Sequence, residues 1–125
     1  MEYKTVEQLE RVAEIHPRIM SRTEKLQHWA ELLDREPNRS LYTFFETEYE
    51  SPAERAALQR DNSAVSVAFE DPVLRASGLK DDTYGEAKRF FELSDWELHR
   101  IVCYCHYGAT MSARTAASAV RAIKG

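Results

Sequence analysis

Apolar residues recur along most of the chain at the spacing of an α-helix. Leu26, Trp29, Ala30 and Leu33, for example, follow each other at intervals of three and four residues, which puts them on one helical face. The same spacing predicts helices over 6–15, 22–35, 52–60, 84–92, 95–107 and 112–123, and an aromatic-rich segment in helical phase over 41–49. A short helix can also begin at Asp71-Pro72 and end at Gly78. We therefore predict an all-α fold of six or seven short helices.

Signals for helix starts support this prediction. A Ser or Thr placed three residues before a Glu or Gln can form a capping box, in which each side chain bonds the other residue's backbone amide. The chain offers five such pairs: Thr5/Gln8, Ser21/Glu24, Ser51/Glu54, Thr83/Glu86 and Ser94/Glu97. Each pair precedes a helical pattern, so the boxes and the apolar spacing predict the same helices.

Residues 63–69 are ambiguous. Val65, Val67 and Phe69 alternate as in a strand, whereas Val65, Ala68 and Phe69 also fit a helical turn. The pattern predicts no second strand to pair with them. We therefore expect a loop or a helix here.

Composition limits the domain organisation and the class of protein. A chain of 125 residues, 43% apolar and 30% charged, has the size and composition of one globular domain, 1–125. No apolar run is long enough to span a membrane, and no N-terminal signal sequence is recognisable. Cys103 and Cys105 are too close in sequence for an unstrained disulfide within a helix. We therefore expect a cytoplasmic protein.

The predicted helix 95–107 carries candidate metal ligands. Leu98, Ile101, Val102 and Cys105 would form its core face, and His99, Cys103 and His106 would cluster beside that face. Imidazole and thiolate bind zinc, copper and iron, but residues seven apart lie ~10.5 Å apart along a helix axis. A real site would thus need another ligand, such as His16, His28 or a carboxylate. This helix therefore raises the hypothesis that the protein is a metal, haem or redox-responsive sensor, in which Cys103 is the reactive thiol.

The last two predicted helices resemble a helix-turn-helix in outline. The first ends near Tyr107, and the second carries Arg114, Ser118 and Arg121 on the face opposite its apolar stripe. Such a face could contact nucleic acid. The intervening turn is longer than usual, however, and the net charge of −4 is not typical of a nucleic-acid binder.

A surplus of aromatic residues indicates a different role. Trp96, Tyr104 and Tyr107 lie off the apolar face of their predicted helix, close to Arg100, and Trp, Tyr and Arg dominate the energetics of protein interfaces. We find no Gly-rich phosphate loop and no serine-hydrolase or zinc-protease motif. We therefore expect a non-enzymatic protein that binds a protein partner and needs no cofactor. The sensor and the nucleic-acid regulator remain alternatives.

Overall fold

The computed structural model describes residues 20–45 and 51–123, most of which are helical. Within these ranges the elements are α1 (Arg22–Asp34), β1 (Ser40–Tyr42), α2 (Pro52–Ala57), α3 (Ala64–Glu70), α4 (Pro72–Ala76), α5 (Tyr84–Phe90), α6 (Asp95–Val102), α7 (Tyr104–Tyr107), β2 (Thr110–Ser112) and α8 (Ala113–Arg121). The prediction of a compact, mostly helical fold is confirmed, with a small two-stranded sheet in addition. The predicted helix 6–15 lies outside the described residues.

The two strands correct one predicted element. The helical phase assigned to 41–49 is wrong at its start, because Leu41 and Tyr42 belong to β1. β1 pairs antiparallel with β2, and buried Leu41 lies opposite buried Met111. The strand partner is about seventy residues away in sequence, so local spacing could not reveal it. Residues 46–50 lie outside the described part of the chain.

The capping residues position the helices much as the sequence predicts. Ser21/Glu24, Ser51/Glu54 and Ser94/Glu97 each form the reciprocal capping box. Thr83 caps α5 through the Glu86 amide, but the Glu86 carboxylate accepts a hydrogen bond from the Lys80 amide instead. Thr5/Gln8 lies outside the described residues. A further box between Ser63 and Ser66 starts α3, so the ambiguous segment 63–69 is helical.

The core is organised around Trp29. Helix α1 packs on α8 more extensively than on any other element. Trp29, which is fully buried on α1, stacks on Phe91 with ring centroids 4.2 Å apart. Its indole Nε1 donates a 2.9 Å hydrogen bond to the carbonyl of Ala64. One side chain thus joins α1, α3 and the end of α5, and α6 and α8 contribute further buried residues to the same core.

Gly85 allows α5 to approach α2 closely. A Cβ atom placed on Gly85 would lie 2.7 Å from the Cβ of Ala56 and 2.9 Å from its carbonyl oxygen. Forcing a methyl group into such a contact costs about 1–3 kcal/mol, and the better helix propensity of alanine returns at most about 1 kcal/mol. We therefore expect Gly85→Ala to lower the free energy of unfolding measured by urea denaturation. The double variant with Ala56→Gly should recover part of the loss, and an unchanged stability of Gly85→Ala would contradict this contact.

Candidate functional site

A break at Cys103 divides the region that carries the candidate residues. The prediction of one helix over 95–107 is wrong, because Cys103 has an extended backbone (φ −80°, ψ 137°) between α6 and α7. The segment after β1 causes the break. The Phe44 amide donates to the carbonyl of Val102 at 2.8 Å, and the Tyr104 amide donates to the carbonyl of Phe44 at 3.0 Å. Phe44 thus forms a β-bridge with Cys103. The bridge uses the Val102 carbonyl and the Tyr104 amide, which a continuous helix would need for its own hydrogen bonds.

The break exchanges the predicted environments of the two cysteines. Cys103, which the sequence places beside the histidines, is 1% exposed and lies in the core. Its Sγ accepts a 3.4 Å hydrogen bond from the amide of Cys105. Cys105, predicted to be a core residue, is exposed. Both assignments are corrected for the same reason: the helical phase starts again after Cys103.

Three candidate ligands come together at the surface. The Sγ of Cys105 lies 3.5 Å from Nε2 of His99, and Nε2 of His106 lies 3.1 Å from Nδ1 of His99. One potential ligand atom from each of the three residues lies within 4.8 Å of the others, and we call this group the His/Cys cluster. The sequence placed His99 and His106 on one helix face but ~10.5 Å apart along its axis. The structure instead brings them into contact, and Cys105 takes the place expected for Cys103.

His28, another candidate ligand, lies away from the cluster. His28 on α1 forms a 2.9 Å contact between its Nε2 and Oδ2 of Asp71, the residue that caps α4. His16 lies outside the described residues. Within residues 20–45 and 51–123, the group of potential ligands that could hold a metal ion comprises His99, Cys105 and His106 alone.

Trp96 covers one side of the cluster. Its ring stacks on that of His99 at 5.4 Å, with 17° between the planes, and meets the ring of His106 edge-on at 5.9 Å. The side chain is nevertheless 59% exposed. The guanidinium of Arg100 lies 5.9 Å from the Trp96 ring centroid. An exposed tryptophan thus connects the cluster with the neighbouring surface.

That surface contains a groove between α6 and α8 of about 510 Å³. It is lined by Trp96, Glu97, Arg100, Tyr107, Thr115, Ser118, Ala119, Ala122 and Ile123. Three of the four predicted partner-binding residues, Trp96, Arg100 and Tyr107, therefore share one surface. The fourth, Tyr104, does not line the groove and packs on Phe45 with ring centroids 4.8 Å apart.

Two polar groups of the groove are held in place by their neighbours. The hydroxyl of Tyr107 donates a hydrogen bond to the carbonyl of Arg100, and burial raises the pKa of this tyrosine, which keeps it neutral. The Ser94 amide, together with the positive charge of Arg22, holds the pKa of Glu97 below its usual value. Arg22 forms an ion pair with Glu97 and neutralises its negative charge. The net positive charge of the groove therefore comes from Arg100.

The candidate nucleic-acid residues lie on α8. Arg114 and Ser118 are exposed, and Ser118 also lines the groove. Arg121 forms an ion pair with Asp34 of α1, so a phosphate would have to compete with that carboxylate. The link between α7 and α8 contains β2 and is not the short turn of a helix-turn-helix.

Comparisons with known proteins give no further assignment of this site. No protein-family model, no curated protein and no solved structure matches the chain. None of the helices in the described ranges combines the length and the apolar character needed to cross a membrane. The chemistry of the site is therefore interpreted from its own residues.

Proposed function

We propose that the protein is a non-enzymatic binding module whose partner is an acidic, partly apolar segment of another protein. The observation that carries this proposal is the 59% exposure of Trp96 at the edge of a groove that also contains Arg100 and Tyr107. These three residue types supply most of the binding energy in protein interfaces. Their presence on one surface favours binding over a purely structural role.

The groove lining indicates the chemistry of the partner. Ala119, Ala122 and Ile123 provide apolar surface, and Arg100 provides a positive charge. A segment with an apolar side chain next to a carboxylate would complement both features. A volume of about 510 Å³ accommodates a few side chains. The partner therefore contributes a short segment and not a large flat surface.

The cysteines indicate the cellular compartment in which this interaction takes place. Cys103 and Cys105 are thiols, which is usual for proteins in a reducing compartment. Their separation of two residues disfavours an intramolecular disulfide. We therefore place the binding module in the cytoplasm as part of the proposal.

Fluorescence polarisation with two sets of short synthetic peptides tests the proposal. One set pairs Leu or Phe with Asp or Glu, and the matched set replaces the acidic residues by Lys. We expect the full chain to bind the acidic set, and Trp96→Ala and Arg100→Ala each to weaken that binding by at least ~10-fold, about 1.4 kcal/mol. Arg114→Ala removes the same charge outside the groove and should leave binding unchanged.

Several results would overturn this assignment. Equal binding of the acidic and Lys sets would contradict the role of Arg100, and so would equal losses in Arg100→Ala and Arg114→Ala. Self-association that Trp96→Ala abolishes would show that a second copy of the chain fills the groove. Binding of a DNA duplex that depends on Arg114 and Arg121 would favour the nucleic-acid alternative.

A further inference from the structure

We propose that the His/Cys cluster binds one Zn²⁺ ion through His99, Cys105 and His106. One thiolate and two imidazoles form a typical donor set for this borderline-soft ion. The three ligands are not part of the groove lining, although Trp96 contacts both the cluster and the groove. The site can therefore be tested with the metal alone.

Two of the distances within the cluster are close to those between ligand atoms of a tetrahedral zinc site. Bonds of ~2.3 Å to sulfur and ~2.0 Å to nitrogen place the ligand atoms about 3.3–3.6 Å apart. Cys105 Sγ lies 3.5 Å from His99 Nε2, and His106 Nε2 lies 3.1 Å from His99 Nδ1. His99 coordinates through one nitrogen only, so only one of these two contacts can join bound ligand atoms. The other separations, all within 4.8 Å, must shorten by up to about 1.5 Å. Cys105 and His106 are exposed, so rotation of their side chains can provide this movement.

The fold creates this arrangement through the break at Cys103. In a continuous helix, His99 and Cys105 would point about 120° apart around the axis, and His99 and His106 would be separated by ~10.5 Å along it. The extended backbone at Cys103 turns α7 back, so that Cys105 and His106 approach His99 on α6. The hydrogen bonds of Phe44 to Val102 and Tyr104 hold this turn. The ligands are thus brought together before any metal binds.

Trp96 supports the site from one side. Stacking against Trp96 restricts the ring of His99, the half-buried member of the cluster. Fixing the orientation of a ligating imidazole raises its affinity for metal. Three protein ligands leave one coordination position of Zn²⁺ for a water molecule. The expected site is therefore mononuclear, with an open position towards solvent.

The test uses the untagged full chain, reduced with a phosphine and freed of metal with a chelator. After addition of Zn²⁺ and gel filtration, we expect one zinc per chain by elemental analysis. Competition with a chromophoric chelator should show that Cys105→Ser and His99→Gln each weaken the affinity by at least ~100-fold, because losing a direct ligand costs at least as much as the ~10–100-fold loss on removing an outer-shell partner. The matched control Cys103→Ala removes the neighbouring thiol, which is buried, and should leave the zinc affinity within a few-fold of the original.

Co²⁺ adds a readout that identifies the sulfur ligand. Its complex should show thiolate-to-metal charge-transfer absorption, which Cys105→Ser abolishes and Cys103→Ala retains. Circular dichroism establishes that each variant is folded, and His28→Gln replaces Cys103→Ala as the control if the latter unfolds. Zinc well below one per chain, an unchanged affinity in Cys105→Ser, or loss of the charge-transfer band in a folded Cys103→Ala variant would each overturn the proposal. Half an equivalent of zinc in a metal-dependent dimer would also overturn it, because the ion would then be shared between two copies.

Discussion

Trp29→Ala is expected to lower the free energy of unfolding by about 3–5 kcal/mol, whereas Trp96→Ala should lower it by less than about 1 kcal/mol. Trp29 is fully buried, and its replacement leaves a cavity between α1 and the end of α5. The change also removes the indole donor from the carbonyl of Ala64. Trp96 is 59% exposed, so its removal leaves no comparable cavity.

Urea denaturation followed by far-ultraviolet circular dichroism measures both changes. A domain of this size is stable by about 5–15 kcal/mol, so Trp29→Ala can be close to unfolding in water. Trp29→Phe, which keeps an aromatic ring but loses the hydrogen bond, should then lie between the two. Equal losses in the Trp29 and Trp96 variants would show that the core is not organised around Trp29.

The helices could be predicted because their signals are local. Each reciprocal capping box, such as Ser94/Glu97, joins residues three apart, and the apolar face of α1 repeats within a few residues. The Thr83/Glu86 pair does not form the reciprocal box, and it shows the limit of these local signals. The Glu86 carboxylate bonds the amide of Lys80, and no local pattern specifies that contact.

The strands and the helix break could not be predicted, because both depend on residues distant in sequence. Leu41 and Phe44 stand three apart, a spacing that fits one helical face. Their actual positions depend on Met111 and on the backbone of Val102 and Tyr104. A helical period and a short strand with one isolated bridge cannot be distinguished without knowing those partners.

The candidate site could be predicted only in part, because its geometry depends on the same helix break. His99 and His106 stand seven apart, which puts them on one face of a continuous helix but ~10.5 Å apart along its axis. Only the turn after Cys103 brings their rings into contact. Which cysteine lies beside the histidines depends on the helical phase. The extended backbone at Cys103 therefore exchanged the predicted positions of the two cysteines. The signal that could have indicated Cys105 is its position directly before His106, because a thiolate and an imidazole next to each other on one short turn can approach the same ion. The groove, in contrast, requires α6 and α8 to be neighbours, which no local pattern of Trp96 or Ser118 indicates.

Phe44→Ala is expected to cost about 3–5 kcal/mol of stability and to disturb the turn that carries the His/Cys cluster. The Phe44 side chain is 2% exposed and meets the ring of Tyr84 edge-on at 5.9 Å. This packing anchors the backbone groups that bond Val102 and Tyr104 on either side of Cys103. A cavity at this position should therefore loosen the break between α6 and α7 as well as the core.

The adjacent residue supplies a matched control for this effect. Phe45 is 38% exposed and packs on Tyr104 at the surface, so Phe45→Ala should cost less than about 1 kcal/mol. Hydrogen exchange measured by mass spectrometry should show faster exchange around the Tyr104 amide in Phe44→Ala than in Phe45→Ala, because the carbonyl that accepts from this amide is less firmly held. If the amides of α7 exchange equally fast in both variants, the packing of Phe44 does not maintain the turn. The arrangement of His99, Cys105 and His106 would then depend on contacts within α6 and α7 themselves.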